Sequence, residues 1–322
     1  MATSETPPLT PSLSKPVQTA PNTHIELPTG KPFRETEVSA ILRANVTPIV
    51  LLAGSEKCGK TTLLASLHDN FQRGSSFAGY LSAGSKTLFG FEERCFDSRL
   101  ASGGENPTTQ RTRPADGLLF YHLKLRDEDL KSPIRHLLVG DMSGELYAGA
   151  MDSGTEMRKQ TIITRADHFV QLIDAGRLAS SEFRGLTRTN ALLLFRRCLE
   201  EQMFESDAKV DVLLTKWDVA IARCGTEEKA IGVLKETEDE ITKLLTSRVG
   251  RLRIAPVASR PHFKSRLSPA YGLGAFLRSW VEEPPRKSAP RITKFPEVDS
   301  DRIFDRFAFG EFPEMFESGR NV

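Results

Sequence analysis

Residues 48–71 read PIVLLAGSEKCGKTTLLASLHDNF: an apolar run, a loop framed by two glycines, and a stretch with helical spacing. Gly54 to Thr61 match the pattern GxxxxGK[ST] without a mismatch, in the strand-to-helix context that gives the pattern its meaning. Glycines let the chain curl so that successive backbone N–H groups and the helix N-terminus face one point, which suits phosphate oxygens. Lys60 adds a charge for the β- and γ-phosphates, and the Thr61 hydroxyl is suited to Mg2+. Gly54, Ser55, Glu56, Lys57, Cys58, Gly59, Lys60, Thr61 and Thr62 are therefore expected to line a nucleoside triphosphate site.

Further strand patterns fall at 118–125, 135–141, 168–174, 210–216 and 252–258, and helical patterns at 35–43, 89–100, 187–204, 227–247 and 272–282. Strands alternating with helices predict a mainly parallel sheet covered on both faces. Only RDEDLKSPI separates the strands at 118 and 135, whereas a parallel crossover needs about a dozen residues or more, so this pair is expected to be an antiparallel hairpin. The expected fold is an α/β P-loop NTPase three-layer sandwich, its sheet mostly parallel with one antiparallel hairpin strand. Residues 1–34, rich in Pro, Ser and Thr, read as a flexible arm. Residues 35–284 read as the P-loop domain, and 285–322 as a tail that is Pro-rich and then acidic and aromatic.

Two more motifs follow the loop in the order a nucleotide site needs them. LLVGDMSGE ends a strand in Asp141, placed to hold Mg2+, with Gly144 three residues later offering a backbone N–H to a γ-phosphate. VDVLLTKWD ends a strand in Thr215, Lys216 and Asp218, a TKxD in place of NKxD. A carboxylate accepts two parallel hydrogen bonds from guanine N1–H and its C2 amine, whereas adenine has an acceptor at N1 and no such amine, so Asp218 would select GTP. Lys216 is expected to lay its stem along the base and brace the loop. One strand further on, APVASR puts Ser259 where a backbone N–H can donate to guanine O6.

P-loop, hairpin, DxxG, TKxD and an SAK-like turn, in that order on successive strands, resemble the TRAFAC clade of GTPases over about residues 45–283. LLAGSEKCGKTTLLASLHDNF, SAGSKTLFGFEERC, DMSGE and RADHFVQLIDAGRLA are similar to the bacterial double-GTPase family, whose members occur as paired modules associated with multi-component defence or conflict systems. The resemblance implies a GTP-dependent switch with slow hydrolysis and with other proteins of a paired-GTPase system as partners. It also implies a threonine that caps Mg2+ before the strand at 118, where Thr108, Thr109 and Thr112 stand and Thr112 is nearest. Glu145 follows the DxxG, where a glutamine often orients the attacking water; a carboxylate there repels a γ-phosphate and can also polarise water. Lys57, in the third variable position of the P-loop, and Arg111, beside Thr112, are cations for the charge that builds between the β- and γ-phosphates. A P-loop kinase and a nucleotide-bound structural module without turnover are the rival readings, and a kinase has no need of the TKxD base reader.

Composition narrows the remaining classes. The 44 Lys and Arg nearly balance the 42 Asp and Glu, so no strong overall field draws the chain to nucleic acid or an anionic membrane. Cys58, Cys95, Cys198 and Cys224 share no CxxC or Cys/His spacing, which argues against a zinc site and for a reducing compartment. No stretch reaches about 18 apolar residues and the N-terminus lacks the apolar core of a signal peptide, so no membrane span and a cytoplasmic location are expected.

Overall fold

A computed structural model of the chain describes residues 29–72, 76–96 and 117–283. Its strands are β1 (Ile49–Ala53), β2 (Tyr80–Gly84), β3 (Leu118–Asp127), β4 (Arg135–Met142), β5 (His168–Asp174), β6 (Lys209–Thr215) and β7 (Arg251–Pro256), in one sheet of order β2-β3-β4-β1-β5-β6-β7. β1 is parallel to β4 and β5, and β6 is parallel to β5 and β7. β3 is antiparallel to both β2 and β4, so among the described strands it alone opposes the common direction. The hairpin expected from the short 126–134 connection is present, and the sheet is otherwise parallel.

The described helices are α1 (Glu35–Ala44), α2 (Lys60–Gln72), α3 (Leu88–Phe96), α4 (Gly144–Asp152), α5 (Gly154–Lys159), α6 (Ile162–Arg165), α7 (Ala175–Leu178), α8 (Arg184–Glu200), α9 (Trp217–Cys224), α10 (Glu227–Leu245) and α11 (Leu273–Glu282). They cover both faces of the sheet, and the strand period of two sorts the core between those faces. Ile49, Leu51 and Ala53 of β1 join one cluster with residues of α1 and α4 to α10, while Val50 and Leu52 join the other with α2, α3 and α11. Every residue of β1 is buried, as a central parallel strand requires, and such a strand reads as an unbroken apolar run. β2 was not anticipated. It is an edge strand in which only Tyr80 is buried, so its sequence carries no apolar signature.

At the end of the sheet where β5, β6 and β7 begin, Asp211 is fully buried and ties α11 to the strands. Trp280 Nε1 donates to it at 2.8 Å, and Arg251 Nη2 and Arg253 Nε each donate at 3.1 Å. Burial alone would raise the Asp211 carboxyl; the His168 ring 3.7 Å away, the two guanidinium groups and the Trp280 N–H outweigh it and hold the group below the ordinary carboxylate range.

A second buried polar group adds to the acid sensitivity of the fold. His122 of β3 is wholly buried and accepts the Lys86 backbone N–H on Nδ1 at 3.1 Å. Its neutral ring therefore carries the proton on Nε2, which lies 3.0 Å from His136 Nδ1. Burial first, and then His136, Lys124 and Lys86, push the His122 pKa down to about 4. Folding thus excludes a proton that the unfolded chain takes up below about pH 6.5, and stability is lost as pH falls from there toward 4. Urea denaturation at pH 7 and pH 4.5 should show His122→Gln losing about 2 kcal/mol less than wild type between the two conditions. Equal losses in both proteins would contradict the assignment.

Candidate nucleotide-binding site

The P-loop leaves the C-terminal end of β1, between β4 and β5, where connections depart to opposite sides of the sheet. Ligands in open α/β sheets gather at such a point. Gly54 admits no side chain, because a Cβ there would meet the Leu172 carbonyl oxygen at 2.7 Å and Cys58 Sγ at 2.6 Å. Gly59 has φ +106°, and Lys57, at φ 62°, holds a left-handed conformation without being glycine. α2 begins at Lys60 and has no acidic residue in its first turn, so its positive end is left for an external anion. Lys60 is buried, with Nζ donating to the carbonyls of Gly54 at 2.6 Å and Ser55 at 3.3 Å. The ammonium thus lies along the loop's own carbonyls. Burial also keeps the Cys58 thiol protonated, raising its pKa against the opposing effect of Lys60.

Asp141 sits fully buried near the C-terminal end of β4, in register with Leu52 of β1. Two residues on, Ser143 caps α4 by accepting the Leu146 N–H at 3.2 Å. Gly144 opens that helix against the P-loop: a Cβ built there would lie 3.4 Å from Glu56 Cβ and 3.5 Å from Glu56 N. The DxxG segment and the second variable position of the loop are therefore in contact. Glu145 is exposed in the first turn of α4. Tyr147, buried one turn later, accepts a hydrogen bond from Gln171 Nε2 at 3.2 Å, which fastens α4 to β5.

The TKxD segment is where sequence and structure part in one respect. Bracing of the loop was expected from Lys216, but it comes from Thr215. The Thr215 hydroxyl, buried at the end of β6, lies 2.5 Å from the Cys58 carbonyl and 3.2 Å from that of Ile173, and its single proton serves the nearer. Lys216 turns away in a left-handed conformation, φ 56° and ψ 42°, and its Nζ donates to Asp174 Oδ2 at 2.6 Å. Thr215 thus reaches back across β5 to the loop, while Lys216 meets the carboxylate at the end of β5. Asp174 was missed by the sequence reading although it stands at the end of an apolar strand, the position that drew attention to Asp141. Its other oxygen accepts the Arg177 N–H at 2.9 Å and caps α7.

Asp218 lies in the first turn of α9, and its Oδ2 accepts the His262 backbone N–H at 2.8 Å. Ser259 is buried, and its carbonyl accepts from the Ser66 hydroxyl of α2 at 2.7 Å and from the Ala270 N–H at 3.1 Å. One sheet edge therefore collects the P-loop, Asp141, Gly144, Thr215, Asp218 and the Ser259 turn. Lys57 carries a side chain 83% exposed, with Nζ 4.0 Å from Glu56 Oε1. Thr108, Thr109, Arg111 and Thr112 lie outside the described residues, as do residues 1–28 of the N-terminal arm and the tail from 284. Among the described residues no helix is long and apolar enough to cross a membrane, and no three His, Cys, Asp or Glu side chains are grouped to hold a metal ion.

The model of the family described as Double-GTPase 2 matches residues 48–281. No curated protein matches the chain. Among solved structures, the chain is similar to the signal recognition particle receptor SRb-GTP/SRX complex from Chaetomium thermophilum, with 14% identity and a TM-score of 0.39 over 72% of this chain and 98% of that one. It is also similar to the S. cerevisiae Ski7 GTPase-like domain bound to GTP, with 13% identity and a TM-score of 0.38 over 74% of this chain and 51% of that one.

Thr215→Val removes the proton that satisfies the buried Cys58 carbonyl and should cost about 1–3 kcal/mol of stability, with weaker nucleoside triphosphate binding. Thr215→Ser, which keeps the hydroxyl, should retain most of both. Urea denaturation and nucleotide titration measure the two effects, and wild-type behaviour of Thr215→Val would show that the loop needs no brace from β6.

Proposed function

The chain belongs to the Double-GTPase 2 family, and on that premise we propose that it is a molecular switch that binds GTP with Mg2+ and hydrolyses it slowly to GDP and phosphate. The observation that carries this reading is the meeting, at one end of the sheet, of the P-loop and the TKxD segment, joined by the Thr215–Cys58 hydrogen bond. Residues 35–284 serve as the GTPase domain.

In this reading the β-phosphate rests on the amides from Glu56 to Thr61, and Lys60 exchanges the Gly54 and Ser55 carbonyls for phosphate oxygens. Thr61, in the first turn of α2, and Asp141, near the end of β4, offer a hydroxyl and a carboxylate, hard oxygen donors of the kind Mg2+ takes, with Thr112 as the further ligand. When bound, Mg2+ supplies neutralisation of charge on the β- and γ-phosphate oxygens. The Gly144 N–H reports whether a γ-phosphate is present, and because Gly144 opens α4, a shift there moves the whole helix. Asp218 takes guanine N1–H and the C2 amine while His262 fixes the orientation of the carboxylate, and the Ser259 N–H meets O6. Thr62 and Lys216 complete the nucleotide contacts.

Hydrolysis rests on Glu145 as the group nearest the attacking water and on Lys57 or Arg111 as the cation. Two of these are costly instruments: Glu145 is a carboxylate where charge repels, and Lys57 is solvated beside Glu56. A slow intrinsic rate follows, with a partner needed for fast turnover. The four free cysteines support a cytoplasmic place, and the family resemblance supports a role in a multi-protein bacterial defence or conflict system, where other components read the switch segments.

Single-turnover assays test the reaction. Phosphate should be released from GTP slowly and should not appear on added small-molecule acceptors; label on an acceptor would favour a kinase, and no turnover would favour a structural nucleotide. Lys60→Ala should abolish measurable GTP binding while the chain stays folded. Lys57→Ala should lower kcat by about ten-fold or more with GTP affinity nearly unchanged if that lysine acts in the transition state, and an unchanged kcat would leave the role to Arg111 or to a partner.

A further inference from the structure

The segment that follows the Ser259 turn is a closed loop. Residues 260–269 leave and rejoin the fold through one closed stem: Ala258 N–H donates to the Tyr271 carbonyl at 3.0 Å, and Ala270 N–H donates to the Ser259 carbonyl at 3.1 Å. Within the loop, the Ser265 N–H bonds the His262 carbonyl at 2.7 Å and the Lys264 N–H bonds His262 Nδ1 at 3.3 Å. The backbone of His262 is in turn fastened to Asp218 Oδ2. A tight turn, locked on itself and bolted to the residue proposed to read guanine, carries Phe263 at its tip. That ring is 84% exposed, the highest value among the exposed large apolar side chains of the described residues.

Single exposed apolar residues are ordinary on protein surfaces. This one differs in its support. The turn's internal hydrogen bonds fix its backbone, the His262 ring lies tilted against the Phe263 ring with centroids 4.3 Å apart, and Lys264 Nζ stands 5.6 Å from the Phe263 centroid. An aromatic face flanked by a cation, held open next to a carboxylate that accepts from a base edge, has the chemistry of a stacking platform for a purine.

We propose that Phe263 caps the guanine base, stacking on its face while Asp218 reads its edge. The inference rests on the guanine reading of Asp218 and adds to it a residue that sets affinity without setting the choice of base. Stacking is indifferent to the C2 amine, so Phe263 contributes equally to guanosine and inosine triphosphates, whereas Asp218 distinguishes them.

Calorimetric titration of the full chain with GTP, inosine triphosphate and ATP tests this. Phe263→Ala should weaken GTP and inosine triphosphate by the same factor, about 5- to 100-fold, and Phe263→Tyr should bind as wild type. The nucleotide-free melting temperature should be unchanged, since the ring is solvent-exposed. GTP affinity of Phe263→Ala equal to wild type, in a chain that still prefers GTP to ATP, would overturn the cap and leave the base reading standing. Unequal factors for GTP and inosine triphosphate, or a matching fall in nucleotide-free stability, would show that the loop acts by holding Asp218 and would overturn it too. A wild-type chain without preference for GTP over ATP would remove the guanine reading and the cap together.

Discussion

Amides that a loop offers to a ligand cannot also hold the loop together. In the P-loop one N–H, that of Cys58, turns back to the Ser55 carbonyl at 3.3 Å, and side chains fasten the loop through its carbonyls. Lys60 takes those of Gly54 and Ser55, and Thr215 takes that of Cys58 from a strand two places across the sheet. Gly54 permits the arrangement because any side chain there would strike Leu172 and Cys58. The loop's curvature is therefore a property of the sheet beneath it: β1 supplies its start, β5 its floor and β6 its brace.

This dependence explains why the chemistry clusters as it does. Parallel strands align their C-terminal ends, so Asp141 on β4, Asp174 on β5 and Thr215 on β6 arrive at one edge without any special turn. The register Asp174↔Thr215 puts the carboxylate that holds Lys216 beside the hydroxyl that holds the loop. The P-loop and the TKxD segment are thereby linked through the Thr215 hydroxyl on the Cys58 carbonyl. α4 begins at Gly144 against Glu56, is joined to β5 by the Tyr147–Gln171 hydrogen bond and to α8 by that from Arg197 Nε to the Met151 carbonyl, and so connects the P-loop to the helices of that face.

Much of this was legible in the sequence because the motifs sit on strands that are buried on both sides and read as plain apolar runs. β1, β4, β5 and β6 were found within a residue or so of their ends, and the reversed β3 followed from the length of one connection. β2 was invisible because an edge strand with one buried residue has no pattern to read. Lys216 was given the work of Thr215 because spacing along the chain says which residues end a strand, not which way each side chain points after a left-handed turn. Asp174 and His262 were missed for a related reason: each acts through a partner more than 40 residues away, Lys216 and Asp218 respectively, and such pairs exist only once strand order is known.

The central claim is that Asp218 reads the base, since that separates a switch from a phosphoryl-transfer enzyme that happens to share the loop. Substituting Asp218→Asn exchanges one acceptor for a donor, and xanthine carries a carbonyl at C2 where guanine carries an amine. Competition binding of GTP and xanthosine triphosphate to wild type and Asp218→Asn measures the exchange directly. The account predicts that the preference for GTP inverts, with a swing on the order of a hundred-fold from two charge-assisted hydrogen bonds. An unchanged ratio of the two affinities in the mutant would contradict it.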